Sequence, residues 1–334
     1  MVQTEALLSI RDLSIQYVTR DMGCCRAVNN LSLDLQKGET LGLVGETGAG
    51  KTTIARGIMG IVPNPPGRIT QGSIFFKGED LLRKKKKEMR KIRGDKISMI
   101  FQDPMTALNP VDTVGEQIEE VLKLHQPGAG KEEIRQKAVQ MLETVGIPGE
   151  RIDEYPHQFS GGMKQRIVIA IALACSPELL IADEPTTALD VTIQAQILEL
   201  MNKLKGEMNT SMLLITHDLG VVAEMCNRVA IIYAGEVVEI GTARDIFKNR
   251  SHPYTQGLFN SLPSVTGEKT KLKPIPGAMP DPSNLPAGCP FAPRCGYACE
   301  KCMAEHPELL PVEGEHYVRC WRAAEEEQHG IAAG

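Results

Sequence analysis

A glycine-rich stretch, GETGAGKTT at residues 45–53, constrains the fold of this chain more than any other feature. Residues 39–44 before it predict a short buried strand, and the segment from Thr53 to Met59 predicts the start of a helix. In this context the glycines let successive backbone N–H groups point at one centre, and the helix N-terminus adds partial positive charge. Lys51 can reach the outer phosphates of a nucleotide, and the hydroxyl of Thr52 can ligate Mg²⁺. The stretch therefore predicts a nucleoside triphosphate site, here called the phosphate loop, made by Gly45, Glu46, Thr47, Gly48, Ala49, Gly50, Lys51, Thr52 and Thr53.

The composition excludes several classes of protein. With 334 residues, 42% hydrophobic and 24% charged, the chain has the make-up of a globular protein with a large core, not of a disordered or fibrous one. Its net charge of -5 argues against a general nucleic-acid binder. Residues 1–12 show no basic-then-apolar pattern, so we expect no export. The longest apolar run, Ile167 to Cys175, has nine residues, where about 20 are needed to span a bilayer. We therefore expect any membrane role to depend on a partner.

Alternating and short apolar segments predict the strands. They cover residues 7–18, 31–35, 72–77, 97–101, 179–184 and 212–216. The first two precede the phosphate loop and would form an antiparallel side sheet. The strand at 97–101 delivers Gln102 into a turn.

A helical insert is predicted from Thr113 to about residue 146, where apolar residues recur with helical periodicity. After it come Ser160, Gly161 and Gly162, ahead of an apolar helix predicted to start near Gln165. A Ser-Gly-Gly turn at a helix N-terminus is a second shape that binds phosphate.

Two adjacent carboxylates follow a buried strand. Residues 179–184 read LLIADE, so Asp183 and Glu184 stand at the carboxyl end of the strand, where ligands bind in open α/β sheets. Asp183 is suited to hold Mg²⁺, and Glu184 is suited to orient or deprotonate an attacking water. The alternative is a solvated acidic surface, which the preceding apolar strand argues against. Further on, a loop ends at Asp190, and the strand at 212–216 presents His217.

The C-terminal part is rich in proline and cysteine. Residues 274–293 hold seven prolines, which predict an extended segment, and five of the nine cysteines lie between Cys289 and Cys320. Zinc, an iron–sulfur cluster and spare thiols all remain open. The pair Cys299 and Cys302 has a spacing that suits zinc, but the other cysteines do not form a second such pair.

Taken in order, these motifs resemble those of an ATP-binding cassette (ABC) ATPase over residues 7–245. The resemblance implies an α/β fold with a RecA-like P-loop core, an antiparallel β side sheet, an inserted helical subdomain at about 106–165, and a small cysteine-rich C-terminal domain at 246–334. It implies that ATP bound to one cassette is capped by a second cassette. The catalytic residues implied are Glu184, His217 and Gln102. The nucleotide contacts implied beyond the phosphate loop are Tyr17 against the base, Gln102, Ser160, Gly161, Gly162 and Asp190. The Mg²⁺ ligands implied are Thr52, Gln102 and Asp183.

Two departures from the ABC pattern stand out. The signature reads FSGGM in place of LSGGQ, with Phe159 and Met163 as the exchanged residues, and we expect activity to be retained because the phosphate-facing positions are intact. The loop after Tyr17 contains DMGCCR, at residues 21–26, which weakens the expectation that Tyr17 stacks on the base.

Finer motifs resemble the ATPase subunits of bacterial dipeptide and oligopeptide importers. They are FQDPMTALNP at 101–110, YPHQFSGGMKQR at 155–166, HPYTQGL at 252–258 and PAGCPFAPRC at 286–295. This resemblance implies a [4Fe–4S] cluster, with Zn²⁺ as the alternative, on Cys289, Cys295, Cys302 and Cys320, and leaves Cys299 surplus.

The same resemblance implies a peripheral protein on the cytoplasmic face of the membrane that powers uptake of di- or oligopeptides. Its partners would be a related second ATPase subunit, two membrane permease subunits and an extracytoplasmic substrate-binding protein, with no nucleic acid. Nickel or glutathione as the solute, and a soluble ABC ATPase outside transport, are the alternatives.

Overall fold

The computed structural model of the chain describes residues 6–19, 23–187, 189–261 and 274–323. The strands are β1 (Leu8–Thr19), β2 (Gly23–Leu35), β3 (Thr40–Val44), β4 (Gly67–Phe76), β5 (Glu79–Asp80), β6 (Ile97–Ile100), β7 (Leu179–Asp183), β8 (Ser211–Thr216), β9 (Arg228–Tyr233), β10 (Glu236–Thr242), β11 (Leu310–Glu313) and β12 (His316–Val318). The helices are α1 (Lys51–Met59), α2 (Lys86–Ile92), α3 (Pro104–Ala107), α4 (Val114–His125), α5 (Lys131–Thr144), α6 (Gly161–Leu173), α7 (Val191–Met208), α8 (Leu219–Met225), α9 (Ala243–Lys248), α10 (Pro253–Asn260) and α11 (Glu300–Ala304). Within these described ranges, no helix is both long enough and apolar enough to cross a membrane.

The described residues fall into two structural units, and the first comprises residues 6–7, 35–40 and 79–216. In it, β6, β7 and β8 pair in parallel, with Ile97 opposite Leu179 and Leu179 opposite Ser211. All residues of these three strands are buried. Strands covered on both faces are apolar throughout instead of alternating, which is why short apolar runs predicted them correctly.

The helices of the first unit include the predicted insert. It forms α4 and α5, separated by the sequence QPGAG, whose proline and glycines interrupt a helix. At the start of α4, Thr113 Oγ1 accepts a hydrogen bond from the Glu116 N–H (3.2 Å), and Glu116 Oε2 accepts one from the Thr113 N–H (2.8 Å). This reciprocal cap fixes the first residue of α4.

The predicted start of α6 is wrong by four residues, because the helix begins at Gly161 and not near Gln165. Ser160 Oγ accepts a hydrogen bond from the Met163 N–H (3.4 Å), so Ser160 caps the helix and the two glycines become its first turn.

The second unit comprises the described parts of residues 8–34, 41–78 and 217–323. Its side sheet has the order β2–β1–β4, and β1 runs antiparallel to β4, with Leu8 opposite Phe76 and Tyr17 opposite Gly67. The two strands predicted for the side sheet are neighbours in it, and β4 is a further strand that runs antiparallel to β1. Strand β2 begins at Gly23, eight residues earlier than the predicted Leu31, because strand pairing overrides the local composition. Residues 23–26 of DMGCCR therefore lie in this strand, and residues 21–22 lie outside the described residues.

The other sheet of the second unit joins the strand before the phosphate loop to strands near the C-terminus. β3 is parallel to β9, β9 is antiparallel to β10, β10 to β12, and β12 to β11. Of the predicted extended segment, residues 274–291 form neither helix nor strand, whereas residues 292–293 lie in a turn of 3₁₀-helix. Glu239 on β10 is fully buried and accepts hydrogen bonds from the Ser251 N–H (2.7 Å) and the His252 N–H (3.1 Å), which fastens the entrance to α10 onto this sheet.

Candidate active site

The phosphate loop runs from β3 into α1, as predicted, but α1 begins at Lys51, two residues earlier than Thr53. Gly50 has a φ of 102°, which permits the sharp entry into the helix, and a Cβ there would lie 2.3 Å from the Ala27 carbonyl oxygen. Lys51 is buried, and its Nζ donates hydrogen bonds to the carbonyl oxygens of Gly45 (2.7 Å) and Glu46 (3.0 Å). The ammonium group thus lies over the loop whose backbone is predicted to bind phosphate.

Tyr17 lies beside the phosphate loop. Its hydroxyl oxygen is 3.4 Å from Thr53 Oγ1 on α1, and its ring is half-buried. The position is next to the nucleotide residues predicted from the sequence, and stacking of the ring on a base stays a prediction.

Residues of the C-terminal extension, which we define as residue 246 onward, contact Glu46 of the phosphate loop. Arg294 Nη1 and Nη2 donate to the two carboxylate oxygens of Glu46 at 2.9 and 3.2 Å. The hydroxyl of Tyr254 accepts a hydrogen bond from the Glu46 N–H at 2.9 Å. Sequence reasoning assigned no role to Arg294 or Tyr254, although both lie in the importer motifs HPYTQGL and PAGCPFAPRC. Those motifs were the only available signal.

In the first unit, the predicted catalytic residues Gln102 and Glu184 come together. Gln102 Nε2 donates to Glu184 Oε2 at 2.9 Å, and Thr187 Oγ1 donates to the same oxygen at 3.1 Å. Glu184 has a φ of 48°, a left-handed conformation that a non-glycine residue adopts only when its surroundings enforce it. Its N–H donates to the Ile215 carbonyl (2.8 Å), which holds the residue at the end of the parallel strands. Thr187 is a contact of Glu184 that the sequence did not predict.

The other acidic and histidine positions lie where the strands end. Asp183 is the last residue of β7 and is 2% exposed, so its carboxylate is set at the carboxyl edge of the sheet. His217 directly follows β8 and is exposed, and its catalytic role stays a prediction. Asp190 is also exposed, and its Oδ1 accepts the Ile193 N–H (3.0 Å) at the start of α7. Asp190 is therefore a helix cap in addition to its predicted nucleotide contact.

The signature turn, residues 159–163, is supported by Arg151. The guanidinium carbon of Arg151 lies 4.3 Å from the centre of the buried Phe159 ring, and Arg151 Nη1 donates to Met163 Sδ at 3.7 Å. Phe159 and Met163, the two residues that depart from the common signature LSGGQ, therefore both contact Arg151. Ser160, between them, is exposed at the start of α6.

The signature helix also reaches the acidic strand end. Gln165 is fully buried, and its Nε2 donates to the carbonyl oxygen of Pro185, the residue after Glu184, at 2.5 Å. Gly162 packs against α7, since a Cβ there would lie 2.7 Å from Ile193 Cγ2.

Four of the five C-terminal cysteines line one cavity, here called the cysteine pocket. They are Cys289, Cys295, Cys302 and Cys320. Cys299 is exposed and outside the lining, with its Sγ 3.4 Å from Cys302 Sγ. All nine cysteines lie in described residues and none forms a disulfide. As placed, no three His, Cys, Asp or Glu side chains of the described ranges are arranged to hold a metal ion.

The thiols of the cysteine pocket are held in their protonated form. Burial raises the pKa of Cys289 to about 11, and the thiols of Cys302 and Cys320 add to this effect. Burial likewise raises the pKa of Cys295, Cys302 and Cys320. Cysteine thiolates are the donors that a structural zinc ion or an iron–sulfur cluster uses, so a metal held by these four residues would have to displace their protons.

The fold and the paired phosphate and acidic motifs define the class, an ABC ATPase, and comparisons with known proteins agree. Two family models match, ABC transporter over residues 28–187 and the C-terminal region of oligopeptide/dipeptide transporters over residues 238–302. The chain is 50% identical to the dipeptide transport ATP-binding protein DppD of Bacillus subtilis, covering 99% of this chain and 98% of that one. It is 52% identical to the oligopeptide transport ATP-binding protein AppD of the same organism, over 96% of this chain and 98% of that one.

Solved structures agree with the fold. One match is the ATP-binding cassette MJ0796, solved as a dimer in a post-hydrolysis state bound to ADP and Pi. The TM-score is 0.64 and the sequence identity 29%, and the match covers 71% of this chain and 99% of the MJ0796 chain. CbiO1 from Clostridium perfringens matches with a TM-score of 0.63 and 25% identity over 74% of this chain and 92% of its own. The chain belongs to the ABC transporter ATPases, in the family of dipeptide and oligopeptide transport ATP-binding proteins.

Proposed function

We propose that this chain hydrolyses ATP to power the uptake of di- or oligopeptides through partner permease subunits in the membrane. The observation that carries the proposal is the match to a dipeptide transport ATP-binding protein over 99% of the chain, which includes the C-terminal extension as well as the cassette. Cassette motifs alone identify an ATPase, whereas the extension matches a model specific to peptide transporters.

In the proposed reaction, the backbone of the phosphate loop and Lys51 bind the phosphates of ATP. The ligands for Mg²⁺ would be Thr52, Gln102 and Asp183, and the ion would supply positive charge against the phosphate oxygens. Glu184 orients the attacking water and accepts its proton. The hydrogen bond from Gln102 to Glu184 keeps the carboxylate in place until the water is bound. His217 contacts the outer phosphate and stabilises the charge that develops on it.

A second cassette completes each site in this proposal. Ser160, Gly161 and Gly162 would cap ATP held by the partner, with Asp190 beside them, and the partner would be a related, different chain. The dimeric state of the similar cassette MJ0796 supports this arrangement. Closure on ATP would move Gln102 together with the helical subdomain, at about 106–165, and so move the permease helix that docks there. The extracytoplasmic binding protein would deliver the peptide.

The C-terminal domain, proposed at 246–334 after a cassette domain at 1–245, would carry a [4Fe–4S] cluster, or Zn²⁺ as the alternative. Cys289, Cys295, Cys302 and Cys320 would hold it, and their shared cavity supports this set over one that contains Cys299. The cluster would order a segment that is rich in proline and poor in apolar residues.

The test is ATP hydrolysis by the chain assembled with its second ATPase, two permease subunits and binding protein in lipid vesicles. A di- or oligopeptide should raise the rate, and nickel or glutathione should not. Stimulation by nickel or glutathione alone would overturn the peptide assignment. Activity of the isolated chain equal to that of the assembly would overturn the role as a transport subunit.

A further inference from the structure

Glu46 is the point where the C-terminal extension meets the phosphate loop. We propose that Arg294 is a positioning residue for ATP binding, which acts by holding Glu46 and with it the conformation of the phosphate loop. The proposal rests on the function proposed above, and it gives the extension a direct part in the affinity for nucleotide.

The contacts to Glu46 use three different groups of one residue. Its carbonyl oxygen accepts from Lys51 Nζ at 3.0 Å, its N–H donates to Tyr254 at 2.9 Å, and its carboxylate binds Arg294 through two hydrogen bonds. Of these partners, only Lys51 is predicted to contact phosphate. Arg294 and Tyr254 both belong to the extension, more than 200 residues away in sequence.

The geometry fits a rigid support. The Arg294 side chain is 6% exposed, and its Nε donates to the Pro276 carbonyl oxygen at 2.9 Å while Nη1 lies 3.4 Å from the Tyr233 hydroxyl. The guanidinium is planar, so fixing its Nε at Pro276 and its Nη1 near Tyr233 also fixes the direction in which Nη1 and Nη2 face the carboxylate. The direction of the Glu46 side chain is therefore set by the extension.

Support of this kind matters most when ATP binds. The Nζ of Lys51 must turn from the Gly45 and Glu46 carbonyls to the phosphates, so the loop loses two of its internal hydrogen bonds. The contacts of Arg294 and Tyr254 involve other atoms of Glu46 and are not lost in that step. They keep the loop in the shape that the phosphates require, so less ordering free energy is spent on binding.

The turn that carries Arg294 is itself tied to the cysteine pocket. Residues Ala292–Arg294 form one turn of 3₁₀-helix between Cys289 and Cys295, and the N–H of Cys289 donates to the Cys302 carbonyl oxygen at 2.8 Å. Order in the cysteine pocket therefore fixes the turn, and the turn fixes Glu46.

The experiment measures the dissociation constant of Mg-ATP for the full-length chain by calorimetric titration, with thermal unfolding recorded for every variant. Arg294→Met should weaken binding about tenfold, within the usual range of coupling between sites. Arg294→Lys keeps the charge but loses the second hydrogen bond, so it should weaken binding by about threefold. The matched control is Arg11→Met, which breaks the exposed ion pair with Asp34 (2.8 Å) and should leave the constant unchanged.

A double-mutant cycle separates positioning from a general loss of structure. If Arg294 acts through Glu46, Arg294→Met should add nothing to Glu46→Ala, and the double variant should have the dissociation constant of whichever single variant binds ATP less tightly. Binding by Arg294→Met within twofold of wild type, or independent multiplication of the two effects, would overturn the proposal. If Arg294→Met does not fold, Arg294→Lys decides, and an unchanged constant for it overturns the proposal.

Lys51→Ala distinguishes failure of this proposal from failure of the nucleotide site. Loss of ATP binding in Lys51→Ala together with unchanged binding in Arg294→Met would refute the positioning role and leave the ATP site intact. Unchanged binding in Lys51→Ala would refute the site itself.

Discussion

Lowering the pH should destabilise the C-terminal extension through one buried histidine. His252 is 1% exposed at the start of α10, and its Nδ1 accepts the Tyr254 N–H at 3.0 Å. Its ring lies 5.8 Å from that of Phe291, and both residues line the cysteine pocket. Burial lowers the pKa of His252 to about 4, with the charge of Glu239 opposing the shift. A proton added to Nδ1 would place a charge where no water can solvate it, and it would occupy the lone pair that accepts the Tyr254 N–H.

The magnitude follows from the difference between the folded and unfolded pKa. The unfolded histidine titrates near 6.5, so between about pH 6.5 and 4 the unfolded state binds a proton that the folded state does not. The stabilising contribution is complete above pH 6.5 and is lost as the pH falls toward 4. At about 1.4 kcal/mol per pKa unit, the loss approaches roughly 3 kcal/mol, a large part of a typical stability.

The assay is urea unfolding at pH 7 and pH 4.5, followed by the fluorescence of Trp321, the only tryptophan and a residue of the cysteine pocket. His252→Asn keeps a side-chain acceptor for the Tyr254 N–H and removes the titrating group, so it should lose less stability at pH 4.5 than wild type. His157→Asn, at an exposed position, is the control and should follow wild type. Equal losses in wild type and His252→Asn would refute the reasoning.

Three further predictions concern packing, cofactor and assembly. Gly162→Ala should lower the free energy of unfolding by about 1 kcal/mol, because its Cβ would overlap Ile193. Gly161→Ala should not lower it, because its Cβ would be 3.9 Å from the nearest atom. Equal free energies of unfolding for the two variants in urea would contradict the packing. Protein purified without oxygen should show the broad visible absorbance of an iron–sulfur centre, and this absorbance should be lost in Cys302→Ser and kept in Cys299→Ser. Colourless protein with stoichiometric zinc would refute the cluster. The isolated chain should hydrolyse ATP slowly and gain activity with its partner ATPase, and full activity alone would refute the shared site.

The elements that the sequence predicted well are those set by local pattern. The run LLIADE predicts β7 to within one residue because a strand buried on both faces has no alternative but to be apolar. Helix starts were placed less well. α1 and α6 begin at Lys51 and Gly161 because Gly50 and Ser160 provide the conformation and the cap, and single residues outweigh apolar periodicity there.

The sequence singled out candidate site residues where they belong to recognisable motifs. Gln102 and Glu184 were expected in one place and are hydrogen-bonded in the structure. Arg294 and Tyr254 were not expected, because they lie 248 and 208 residues from Glu46 and a contact over such a distance leaves no periodic or spacing signal in one sequence.

The most direct test of the central claim is the rate of phosphate release by Glu184→Gln within the assembled complex, with ATP binding measured in parallel. If Glu184 activates the attacking water, the amide should leave ATP binding intact and slow hydrolysis by about 10²- to 10⁴-fold, which is roughly 3–5 kcal/mol of barrier. A rate within a few-fold of wild type would contradict the assignment of Glu184 and, with it, the account of this chain as an ATPase of the proposed mechanism.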